Sequence, residues 1–202
     1  MSAPGGWDDR ELRWRRRTAV EMAVSGVLGL IASLVLSIEA WRLAQDSSAT
    51  FACDVSSVLS CSTVALTPQA QVFGFPNAFL GILFESVVLA ISVALFAGVR
   101  FPRWYMLGAN LLYTVALVFA YWLFSQSYFV IHALCPWCLL ITATTTLVFA
   151  GLTRINVREG VIPAAPAVRR FVGQGLDWAI TGLVLFVIAA MLVAGYGVDL
   201  LS

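Results

Sequence analysis

Five stretches of this chain are apolar enough and long enough to cross a lipid bilayer, near residues 18–43, 78–99, 104–125, 131–153 and 176–198. A membrane-spanning helix needs roughly 20 such residues. The fold class that follows is an all-α polytopic membrane protein: a four-helix transmembrane bundle plus a fifth transmembrane helix. Composition agrees, with 60% hydrophobic and 11% charged residues and a mean hydropathy of +0.90. Soluble domains carry about 25% charged residues. A net charge of +1 supplies no basic field for nucleic acid, so the bilayer is the expected partner and nucleic acid is not. The first stretch is too long for a removable signal peptide and lacks a small-residue cleavage pattern.

The arginines set the orientation. Arg10, Arg13, Arg15, Arg16 and Arg17 precede the first span, Arg100 and Arg103 lie between the second and third, and Arg154, Arg158, Arg169 and Arg170 lie between the fourth and fifth. With alternating spans these three segments share one face, and only Arg42 lies opposite. The positive-inside rule makes the arginine face, and the N-terminus, cytoplasmic. The C-terminus with Asp199 is then outside. The expected organisation is a cytoplasmic tail over 1–17, a four-helix core over 18–153 with an extracytoplasmic loop over 45–77, a cytoplasmic linker over 154–175, and a fifth helix with an outer tail over 176–202. The loop is long for a connector, and such loops are usually functional. A short helix within 56–65, lying on the membrane, is expected in it.

All four cysteines fall on the extracytoplasmic side, where disulfides persist. Cys53-x7-Cys61 lies in the loop, and Cys135-Pro136-Trp137-Cys138 opens the fourth span. Pro136 suits a first helical turn, and the free N–H groups there favour a thiolate. Sulfurs three residues apart share a helix face. Two pairs within reach make a thiol-disulfide relay the leading reading. The bland alternative is a pair of structural staples, and four cysteines allow three pairings between which sequence does not choose. Zinc fits poorly with the x7 spacing. Haem attachment is excluded because Leu139, not histidine, follows Cys138. No metal is expected.

Other side chains carry paired readings. His132 either supplies charge or a proton near the CxxC or is an interfacial hydrogen-bonding residue. Glu85 and Glu39 are acids within spans, a default functional signal, or neutral packing residues. Phe79, Trp122 and Tyr128 line a ligand pocket or simply pack the bundle. Asn77, following Pro76, reads locally as a helix cap. Thr142, one turn beyond Cys138, reads as a threonine bonded to its own backbone.

Three motifs occur in order: Cys53-Asp54-Val55-x5-Cys61-Ser62, Phe73-Gly74-Phe75-Pro76-Asn77-Ala78, and Cys135-Pro136-Trp137-Cys138. Together they resemble the bacterial vitamin K epoxide reductase (VKOR) family of DsbB-like disulfide-forming membrane oxidoreductases, over roughly residues 21–153. The resemblance implies a relay from a DsbA-like thioredoxin-fold protein to a membrane quinone, menaquinone or ubiquinone, in the bacterial cytoplasmic (inner) membrane. It implies that Cys53 meets the partner, Cys61 attacks Cys135, and Cys138 faces the quinone. Asn77 matches a position whose amide bonds a quinone oxygen. Thr142 stands where animal members carry a tyrosine, so quinone reduction is expected over vitamin K epoxide reduction. With the chain ending at Ser202, the expectation is a member without a fused thioredoxin-like domain.

Overall fold

The computed structural model describes residues 9–46, 48–56 and 58–201, and the side chains of these except 10 and 198–201. Part of the expected tail over 1–17, and the Asp199 side chain, therefore lie outside the described residues. Among the described residues, five helices are long and apolar enough to cross a membrane. They belong to α1 (Asp9–Gln45), α3 (Ala78–Phe96), α4 (Arg103–Gln126), α5 (Pro136–Arg158) and α7 (Leu176–Leu201). Short helices α2 (Cys61–Ala65) and α6 (Pro166–Gly173) lie in the connections, with a 3-10 turn at Pro68–Gln71. Among the described residues there is no strand, only one isolated parallel bridge between Leu59 and Leu134. The chain is a multi-pass membrane protein, because inside hydrocarbon a helix satisfies its own backbone groups.

Helix boundaries depart from the apolar stretches in three places. The tail expected over 1–17 is helical from Asp9 onward, and α1 runs for 37 residues, about 55 Å at 1.5 Å per residue. No glycine or proline interrupts it there, and Asp9 and Glu11 in its first turn suit the positive end of the helix dipole. The fourth span starts at Pro136, not near residue 131, because Ser127–Ile131 forms a π-helical turn that prolongs α4. That turn ends at His132, whose φ of 57° is left-handed. The linker expected over 154–175 is largely helical: α5 persists to Arg158, and Pro166 starts α6.

Helix α1 packs against α3 and α5, and α4 packs against α5. Small residues permit the closest approaches. A Cβ on Gly29 would fall 2.6 Å from Glu85 Oε1 and 2.9 Å from Thr144 Oγ1. A Cβ on Gly81 would collide with the Ser33 hydroxyl. The core between these helices holds Met22, Val88, Ile91, Leu95, Met106, Tyr113, Val148 and Leu152. Helix α7 stands at the periphery and leaves Leu183, Phe186 and Val193 exposed. Tyr128 anchors it: its hydroxyl donates to Met191 O at 3.1 Å, and Tyr196 donates back to Tyr128 O at 2.9 Å.

The arginine end is tied together by direct pairs. Buried Arg15 meets Glu159 at 2.8 Å and donates to the carbonyls of Leu95 and Val99. Leu95 lies in the last turn of α3 and Val99 just beyond it, so the guanidinium ties α1 to the C-terminal end of α3. Arg154 holds both Asp177 oxygens at 2.6 Å, joining α5 to α7. Arg103 donates to Val161 O at 3.0 Å, and Arg158 lies 4.0 Å over the Trp14 ring.

Candidate active site at the cysteine end

The opposite end brings both cysteine pairs together. Cys53 and Cys61 form a disulfide. The Cys135 sulfur sits 3.4 Å from that of Cys61, and Cys135 and Cys138 carry free thiols. Three of the four sulfurs thus stand in sequence within one apolar nest of Leu43, Phe51 and Trp137.

The loop owes this arrangement to its polar residues. Of the helix expected within 56–65, only Cys61–Ala65 forms. Ser60 caps it, its hydroxyl oxygen accepting the Thr63 N–H at 3.1 Å. Asp54 clasps the two limbs of the loop. Its Oδ1 accepts from the Ser62 N–H at 3.0 Å and the Ser60 hydroxyl at 2.9 Å, and its Oδ2 accepts from the Phe51 N–H at 2.8 Å. Burial alone would raise the Asp54 pKa. The bonds from Ser62, Phe51 and Ser60 outweigh it and hold the carboxyl below its ordinary range. Leu134 donates its N–H to Val58 O at 2.7 Å, and Ser60 donates to Leu134 O at 3.1 Å. These two backbone bonds dock the loop on the residue just before Cys135.

Cys135 is the N-cap of α5, and its sulfur accepts the Cys138 N–H at 3.4 Å. Its thiol is shifted down, first by a hydrogen bond from the Cys138 side chain and then by the N–H groups of Cys138 and Trp137. These outweigh burial and the Glu39 charge, which act the other way. A lowered pKa at a helix N-terminus is the property of a reactive cysteine.

Behind the sulfurs lies an apolar cavity of about 330 Å³, lined by Cys61, Cys135, Cys138, Asn77, Thr142, Phe84, Glu85, Tyr113 and Phe119. Ligand pockets begin at about this size. Asn77 holds the N-cap position of α3 without a side-chain capping bond. Its Nδ2 donates to Gln69 O at 2.7 Å, while its buried Oδ1 has no partner. Thr142 lines the cavity, but its hydroxyl donates to Cys138 O at 3.0 Å. At the deep end, Tyr113 Oη lies 3.1 Å from Phe84 O and 3.5 Å from Glu85 Oε2.

Several expected residues stand elsewhere. Phe79 and Trp122 are in an aromatic row outside the cavity, with Phe75–Phe79 and Phe119–Trp122 centroids 6.3 and 5.7 Å apart. Tyr128 packs on α7, and the aromatic walls are Phe84, Tyr113, Phe119 and Phe124. His132 is exposed, with Nδ1 3.2 Å from Val130 O.

Two contributors were not assigned from sequence. Asp54 organises the loop, a role legible in an acid placed beside Cys53 and followed by Ser60 and Ser62. Glu39, near the end of α1, lies 3.6 and 3.7 Å from Cys53 Sγ through its two oxygens. Glu39, Cys53 and Cys61 present ligand-type atoms within 4.8 Å of one another. A metal would need thiolates, and these two sulfurs are bonded to each other.

The sequence model of the vitamin K epoxide reductase family matches residues 20–153. The chain belongs to that family. The match spans α1 to α5 and includes every residue of the cysteine end described above. No curated protein matches the chain. Membership makes it a membrane thiol oxidoreductase, in a family that uses quinone-type electron carriers and thioredoxin-like redox partners.

Proposed function

We propose that the protein oxidises an exported DsbA-like thioredoxin-fold protein and passes the electrons to a membrane quinone at the extracytoplasmic face of a bacterial inner membrane. The observation that carries this reading is the row of sulfurs: the Cys53–Cys61 disulfide with Cys135 only 3.4 Å from Cys61. Disulfide exchange proceeds by thiolate attack on a neighbouring sulfur, and this row offers one attack after another.

The family resemblance implies the role of each sulfur, and their order in the structure supports it. Cys53 accepts the partner's thiolate, and Cys61 leaves with the electron pair. Cys61 then attacks Cys135 in a Cys135–Cys138 disulfide, and Cys138 leaves toward the cavity it lines. The cavity fits a quinone head: its walls are apolar, and the unpartnered Asn77 oxygen and the second Nδ2 hydrogen offer an acceptor and a donor. A bound quinone supplies a two-electron, two-proton acceptor. Thr142 lines the same pocket and offers its oxygen as an acceptor. The arginine clustering at the opposite end supports the orientation.

The test is trapping. Cys61→Ser expressed in cells should accumulate a mixed disulfide between Cys53 and a thioredoxin-fold protein, identified by mass spectrometry. The purified wild-type protein should oxidise dithiothreitol with menadione as acceptor. Absence of both results would sink the reading.

A further inference from the structure

Among the described residues, Glu39 is the one carboxyl in contact with a sulfur of the site. It is 8% exposed, and its oxygens lie 3.6 and 3.7 Å from Cys53 Sγ. Sulfur contacts at that separation are hydrogen-bonding distances. In the disulfide, Cys53 Sγ carries no hydrogen, so only a protonated Glu39 can donate across this gap. An ionised Glu39 would place a negative charge against sulfur lone pairs in an apolar nest. The charged and titratable groups facing it are Asp54 from the loop and Arg42 from its own helix, with Cys135 and Cys138 from α5. Arg42 is exposed, and among the described residues no ion pair holds either Glu39 oxygen.

We propose that Glu39 is the proton donor and acceptor for Cys53, giving its proton to the sulfur when the loop disulfide is reduced and taking it back when that disulfide re-forms. The steps balance. The partner's thiolate attacks Cys53 Sγ; the Cys53–Cys61 bond breaks and Cys61 leaves as a thiolate. The partner's second thiol loses its proton to water and attacks its own sulfur in the mixed disulfide. Cys53 departs with the bond's electron pair and takes the proton of Glu39. The partner has lost two electrons and the loop pair has gained them. On the return, the Glu39 carboxylate takes the Cys53 proton as Cys53 attacks Cys61 in the Cys61–Cys135 disulfide, and Cys135 leaves as a thiolate.

This inference rests on the relay reading for its direction but is tested without a quinone. The full-length protein in detergent is mixed with dithiothreitol between pH 5 and 9. Samples are quenched in acid and alkylated, and reduction of the Cys53–Cys61 disulfide is read by mass. Glu39→Gln should slow resolution of the Cys53–dithiothreitol mixed disulfide, the step in which Cys53 leaves, about 10²-fold, the lower end for general acid catalysis, and flatten its pH profile after correction for the dithiothreitol thiolate. Glu39→Asp should recover part of the rate and restore the pH-dependent limb, while thermal melting reports that both variants fold. A rate within twofold of wild type for Glu39→Gln at every pH overturns the proposal. So does a folded Glu39→Asp with no pH-dependent limb. A wild-type protein that shows the Glu39 effect but passes no electrons to menadione defeats the quinone relay and leaves the Glu39 role standing.

Discussion

The two ends of this bundle are held by opposite means. At the arginine end, long side chains reach across helices and clamp them: Arg15 joins α1 to the end of α3 and to Glu159, and Arg154 grips Asp177 on α7. At the cysteine end, a loop is secured by one carboxylate, two backbone bonds and a disulfide. The first set of contacts cannot be exchanged without leaving a buried charge unpaired, which is costly. In the second, the covalent bond itself is the group that exchanges in the proposed relay. Ion pairs thus hold the end remote from the sulfurs.

The contrast can be attacked from both sides. The largest expected effect is at the cysteine end: Cys138→Ser should abolish menadione-dependent oxidation of dithiothreitol and leave the melting temperature close to wild type. Arg15→Ala should do the reverse. Removing one partner of a buried ion pair costs about 3–5 kcal/mol, so denaturant melts should show a large loss of stability, while turnover per folded molecule is retained. An Arg15→Ala protein that is fully stable but inactive would break the division between the ends.

Asp54→Asn should have an intermediate effect, about 1–3 kcal/mol for leaving buried donors poorly matched, confined to the loop. It should appear as faster alkylation of Cys61 after mild reduction. The pH dependence has a definite sign. The folded Asp54 carboxyl is shifted below the ordinary value of about 3.9. Its stabilisation is therefore complete above that value and is lost as pH falls through the lowered folded one. Loop opening, followed by limited proteolysis with an acid protease, should rise in that acid window for wild type and stay flat for Asp54→Asn. The smallest effect belongs to Tyr196→Phe. Losing its bond to Tyr128 O should cost about 1 kcal/mol and loosen α7 without altering turnover.

Much of this was legible in the sequence because hydrophobic length and cysteine spacing are local signals. Five spans and two cysteine pairs need no tertiary information to be seen. What could not be read depends on contacts between segments. Arg15 looked like one more topology marker in a polar tail; α1 carries it into the bundle, where Leu95, Val99 and Glu159 give it a packing role. Ile131 fitted the apolar pattern of a fourth helix, but the π-helical turn and the left-handed His132 assign it to the end of the third. Phe79 and Trp122 are aromatic residues near the correct depth, yet helix rotation turns them to the outer row while Phe84 and Phe119 face the cavity. Glu39 is separated from Cys53 by fourteen positions, and only the fold of the loop onto α1 makes them neighbours.

The small parallel bridge between Leu59 and Leu134 has a kinetic meaning. It fixes the segments carrying Cys61 and Cys135 side by side through backbone atoms, whichever bonds the sulfurs are making. Neither sulfur has to search for the other after a bond breaks. In the proposed relay the transfer between them is an encounter within one molecule, and oriented reactions of that kind behave as though the partner were present at a very high effective molarity. In the proposed relay, two ordinary backbone hydrogen bonds would thereby speed the internal hop, leaving the slow step to the encounter with molecules from outside.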